Sequence, residues 1–113
     1  MEIAERKVGG VTIVDISGKI VASETSGRLK DKVSSLIFQG EKRIVLNLAN
    51  VSYVDSSGLG EMVACHGSAV RNGGEVKLAN AGKKINDLLV MTKLLTVFDA
   101  HDTEDAAVRS FSG

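Results

Sequence analysis

The chain holds no proline, a single cysteine and no surplus of charge of either sign. One cysteine, Cys65, excludes an internal disulfide and a zinc site built from cysteines. Fourteen Lys and Arg residues balance fourteen Asp and Glu residues. Nothing therefore draws the chain electrostatically to nucleic acid or to an anionic membrane, and no Lys/Arg-rich run restores that pull. Its apolar runs fall far short of the ~20 residues of a membrane-spanning helix. The opening MEIAERKVGG is charged and lacks the apolar stretch of a signal peptide. Internal repeats and low-complexity segments are missing too. The expectation is a cytoplasmic protein with neither nucleic acid nor membrane as partner.

What is present reads as one ordinary globular domain over residues 1–113, with 43% apolar and 25% charged residues. Segments 2–8 and 11–17 flank Gly9-Gly10, a pair suited to a two-residue hairpin turn. Gly18 is expected to end the second strand. A helix over roughly 24–38 places Leu29, Val33, Leu36 and Ile37 in one stripe, and Gly40 closes it. RIVLNLA, 43–49, reads as a buried central strand. The next helix carries Leu59, Met62, Val63, His66 and Val70 at helical spacing and stops at Asn72-Gly73-Gly74. A strand over 75–80, a helix over about 82–93 burying Ile85, Leu88 and Leu89, a short strand at 97–100 and a helix from Asp102-Thr103 complete the chain. Strand and helix alternate three times after the hairpin. The fold class is α/β: a single small domain with a mixed, mostly parallel sheet, right-handed crossovers and helices packed on it.

The stretch YVDSSGLGEMV, 53–63, carries the chemistry. The plain reading is a helix cap, a side-chain oxygen accepting a bond from an early helix N–H. That accounts for one oxygen-bearing residue, not for Asp55, Ser56 and Ser57 in a row before Gly58. A serine hydrolase fails on geometry: neither serine has the Gly-x-Ser-x-Gly frame, and His66 lies roughly 13 Å along the helix from Ser57. A dinucleotide site fails on pattern: Val63 stands where the third glycine belongs, and Glu75 falls at the wrong end of the next strand. Nucleotide binding at Ser57-Gly58 survives only through the general affinity of helix N-termini for phosphate. The remaining reading makes a serine the acceptor of a phosphate. A dianion is tolerated at the positive end of a helix, so modification leaves the domain folded. A partner that buries neutral serine cannot bury the dianion without paired cations. Such a site is a switch.

Elsewhere the expectations are structural. His66 reads as a packed histidine and Cys65 as a small, half-buried, unactivated thiol. Glu61, Ala64, Cys65 and Ser68 share a face with one charge, a candidate partner surface. Gly67 is expected to permit close approach of a neighbour. Lys83 and Lys84 face solvent or an acidic partner.

GKIVASETSGRLKDKVSSLIFQG (18–40), KRIVLNLANVSYVDSSGLGEMVACHG (42–67) and above all VSYVDSSGLG resemble the bacterial anti-sigma factor antagonists, the stand-alone members of the STAS domain family. The order of elements matches over about residues 2 to 112. The resemblance implies a non-enzymatic protein without cofactor, metal or catalytic residues, which binds an anti-sigma factor serine/threonine kinase and so releases a sigma factor. It implies that Ser57 is the phosphorylated residue, that phosphorylation switches binding off, and that a metal-dependent serine phosphatase reverses it. The contact area it implies comprises Lys19, Ile20, Val21, Asp55, Ser56, Ser57, Gly58 and Glu61. One departure stands out: Gly18-Lys19-Ile20-Val21 has lysine and valine where many members carry an acid. A module of a stress or chemosensory signalling assembly, or a nucleotide-binding domain, is the alternative.

Overall fold

The computed structural model describes residues 1–25 and 27–111. Ser26, inside the helix expected over 24–38, and residues 112–113 at the end of the expected domain lie outside the described residues. The elements run β1 (Glu2–Val8), β2 (Val11–Ile20), α1 (Ala22–Thr25), α2 (Arg28–Phe38), β3 (Arg43–Val54), α3 (Ser56–Arg71), β4 (Glu75–Ala79), α4 (Gly82–Met91), β5 (Asp99–His101) and α5 (Glu104–Ser110). A 3-10 turn, Leu94–Thr96, precedes β5. Strand order follows chain order, with β1 antiparallel to β2 and all later neighbours parallel.

Right-handed crossovers between successive neighbouring strands place their helices on one face of a sheet. That is the arrangement here. Ile16, Ile44, Leu46 and Leu78 from the sheet meet Leu29 and Val33 of α2, Met62 of α3 and Leu89 of α4 in one core. Every one of these is at most 1% exposed, and burying each such side chain contributes roughly 1.5–3 kcal/mol. Among the described residues the opposite face is covered by α5, whose Ala107 packs on Val11, Ile13, Val45 and Ala79. Lys77 is also buried there, 5% exposed. Its Nζ donates to Asp99 Oδ2 at 2.8 Å and Ser110 Oγ at 2.7 Å, and lies over the Phe111 ring. A polar chain crosses the same face. Arg6 donates to both oxygens of Asp15, Asn47 Nδ2 donates to Asp15 Oδ1, and Asn80 Nδ2 donates to Asn47 Oδ1.

Several boundaries differ from the sequence expectation. Gly18 does not end β2; the strand absorbs register shifts on both sides of it and runs on to Ile20, paired with a β3 that continues to Val54. The single helix over 24–38 is two helices. Gly27 at φ 80° caps α2 in the left-handed region, which glycine enters without strain, and the chain breaks there. β5 begins at Asp99 rather than 97 because residues 94–96 form the 3-10 turn. α4 ends at Met91, not 93.

Candidate functional site

β2 and β3 extend together beyond β4, which stops opposite Asn47. Their shared tip carries both halves of the site, the Lys19–Val21 turn and the Asp55–Gly58 start of α3. Asp55 leaves β3 in an extended conformation and caps α3. Its Oδ1 accepts the Gly58 N–H at 2.6 Å, and its Oδ2 accepts the Ala22 N–H at 3.4 Å. Its own N–H donates to the Ile20 carbonyl at 3.2 Å. One carboxylate thereby fastens the start of α3 to the turn after β2.

Gly58 completes the fastening. A Cβ on it would lie 1.8 Å from the Ile20 carbonyl oxygen, so only glycine allows the first turn of α3 to rest on the end of β2. The second glycine, Gly60, has nothing within 4 Å of a Cβ. Of the two, only Gly58 answers to a steric demand.

Since Asp55 supplies the cap, Ser56 and Ser57 are released from it, and both are exposed. The helix beneath Ser57 presents its positive end. Lys19 is exposed on β2 across from Tyr53, and Val21 is half-buried. Ile20 corrects the expected contact list: its side chain is wholly in the core. It sits there because the β2–β3 ladder turns Ile20 and Val54 inward together, leaving only its backbone near the surface. Glu61, one turn beyond Ser57, is half-buried, with Oε1 3.9 Å from the point a Gly27 Cβ would occupy. Its carboxylate therefore lies at the elbow between α1 and α2.

The expected partner face of α3 is reassigned. Cys65 is fully buried and Ser68 is 7% exposed, while Val70, expected on the apolar stripe, is 56% exposed. The small residues are buried because α2 packs against them, the Ser34 and Ser68 hydroxyls lying 3.3 Å apart. Burial, with Glu61 nearby, pushes the Cys65 thiol up to about 12, so no thiolate is available at neutral pH. His66 stands edge-on to Phe98, ring centroids 5.6 Å apart. His101 Nε2 lies 3.1 Å from Asp99 Oδ2. Gly67 does not mark a close approach, since a Cβ there meets only the flexible Arg71 side chain. Among the described residues no helix is long and apolar enough to cross a membrane.

The model of the STAS domain matches residues 2–107. This chain belongs to the STAS domain family. The Anti-sigma F factor antagonist of Paenibacillus polymyxa is 30% identical over 96 residues, covering 84% of this STAS domain and 81% of that protein. An anti-sigma factor antagonist from Mycobacterium paratuberculosis superimposes with a TM-score of 0.87 at 20% identity, over 99% of this chain and 94% of that one. SpoIIAA, an anti-sigma factor antagonist, matches in its unphosphorylated form with a TM-score of 0.74 at 21% identity over 99% of each chain. The phosphorylated Bacillus SpoIIAA matches with 0.71 at 21%, over 96% and 99%. The fold is that of SpoIIAA-like STAS domains.

Proposed function

We propose that this STAS domain is an anti-sigma factor antagonist switched by phosphorylation of Ser57. In its bare form it captures an anti-sigma factor serine kinase and frees a sigma factor; once Ser57 carries phosphate the complex separates. The observation that carries this reading is an exposed serine at the positive end of a sixteen-residue helix whose cap another side chain already provides. Among the described residues the Ser57 hydroxyl makes no hydrogen bond, so adding phosphate there removes none that holds α3 in place. The names of the relatives support the antagonist role, and the existence of SpoIIAA in two phosphorylation states is the precedent for the switch.

The charge change has a local setting. Ser57 and Glu61 are four residues apart on α3 and so are surface neighbours. A phosphate adds ~1.5–2 negative charges beside Glu61 and Asp55. A partner surface shaped to a neutral hydroxyl then faces a concentrated anion, and desolvating it without new cations is strongly unfavourable. A metal-dependent serine phosphatase would restore the bare form.

The test uses the anti-sigma factor kinases of the host, purified and given ATP with this protein in turn. Phosphate transfer to the wild type and to Ser56→Ala, but not to Ser57→Ala, supports the assignment. Equal labelling of Ser57→Ala would refute it.

A further inference from the structure

Beside the proposed phosphorylation site lies a groove of about 230 Å³ lined by Ser52, Tyr53, Val54, Lys84, Ile85 and Leu88. It falls below the roughly 300–1,000 Å³ of small-molecule sites and suits one or two protein side chains. Its wall and the serine belong to one continuous run, since Tyr53 and Val54 close β3 immediately before Asp55, Ser56 and Ser57. Tyr53, the chain's single tyrosine, is 56% exposed. Large aromatic side chains half out of the surface are the residues on which protein interfaces most often depend.

Two further observations define what fits. β4 ends at Ala79, opposite Asn47, whereas β2 stays paired with β3 as far as Val54. Among the described residues, positions 48–54 of β3 therefore have no strand on the side turned toward β4. The Ala49 N–H is taken by Asn47 Oδ1 at 3.2 Å. Beyond it, a strand edge that no further strand pairs, beside an apolar groove, is the setting in which an extended segment docks, with alternate side chains entering the groove. Lys84, on the rim, is exposed and has no ion-pair partner among the described residues, while its neighbour Lys83 is paired with Asp87 at 3.5 Å. The complementary segment is apolar with an acidic group.

We propose that this groove receives an extended segment of the anti-sigma factor kinase, one apolar side chain seated between Tyr53 and Leu88 and one carboxylate paired with Lys84. The inference rests on Ser57 being read by that kinase. It adds a second contact, independent of phosphate, that holds the kinase in register over the serine.

The test measures affinity of the full chain for the purified kinase that labels Ser57. Tyr53→Ala is expected to weaken binding by about tenfold or more, with Tyr53→Phe close to wild type. Lys84→Glu is expected to weaken it severalfold and Lys84→Arg to restore it. Both sites are exposed, so melting temperatures should not move. If Tyr53→Ala and Lys84→Glu both bind within about twofold of wild type while Ser57→Asp still weakens binding, the groove is not the docking site and the switch stands. If Ser57→Asp has no effect either, the reading of Ser57 falls and this proposal with it. A chain that dimerises on its own, with Tyr53→Ala dissolving the dimer, would assign the groove to a second copy and overturn the proposal.

Discussion

The Cα of Gly58 stands so near the Ile20 carbonyl that a methyl group there would sit 1.8 Å from the oxygen. The obstacle is backbone at the end of a paired strand, which cannot swing aside as a side chain does. Gly58→Ala should therefore shift the start of α3 and lower stability by roughly 1–3 kcal/mol or more. Gly60→Ala, two residues on with open space around it, should raise stability by roughly 0.5–1 kcal/mol. Urea denaturation of the two variants gives opposite displacements of the midpoint if this packing is right, and similar ones if it is not.

Asp55 is the second fastening. Asp55→Ala removes the cap on the Gly58 N–H and the contact to the Ala22 N–H, a loss of about 1–2 kcal/mol. Asp55→Asn keeps an acceptor and should recover most of it. Because the turn after β2 loosens as well, hydrogen exchange of residues 20–25 should quicken in Asp55→Ala and not in Asp55→Asn.

Acid should destabilise the domain through particular carboxylates. Arg6, and next Asn47, hold the Asp15 carboxyl below the usual carboxylate range, and Lys77, then His101, does the same for Asp99. A carboxyl whose folded pKa is depressed contributes stability that is fully present above its unfolded value, ~3.9. That contribution is lost as pH falls through the lower folded value. Stability should thus be level in these two groups near neutrality and decline below about pH 4. Asp15→Asn should be less stable than wild type at pH 7 and lose less between pH 5 and pH 2. Thermal melts across that range give the comparison.

Cys65 should resist alkylation. With the thiol buried and its pKa pushed up to about 12, iodoacetamide at pH 8 should label the protein only as fast as it opens. Labelling at the rate of a free thiol would place Cys65 at the surface.

Much of the fold is written locally. Leu29, Val33, Leu36 and Ile37 are all buried as their spacing requires, and Gly9-Gly10 forms the hairpin with positive φ at both positions. Misreadings arise where long-range packing decides. On α3, hydropathy favours Val70 over Cys65 and Ser68, yet the buried face runs through Leu59, Met62, Cys65 and Ala69, with Ser68 against Ser34 of α2, and Val70 is left outside. Lys77 looks like the solvent-facing residue of a strand, and only the return of Asp99 and Ser110 from later in the chain explains its burial. At the site, the motif predicts a cap but cannot choose among three residues able to provide it. Asp55 is selected because it alone lies where one carboxylate reaches both Gly58 and Ala22. Likewise Ile20 reads as a loop residue until the long β2–β3 pairing turns it inward.

The most direct measurement is calorimetric titration of the kinase that labels Ser57 with bare protein and with protein stoichiometrically phosphorylated at Ser57. Bare protein and Ser57→Ala should bind alike, and the phosphorylated form at least about tenfold more weakly, with its melting temperature showing the domain still folded. Equal affinity of the bare and phosphorylated forms would contradict the switch.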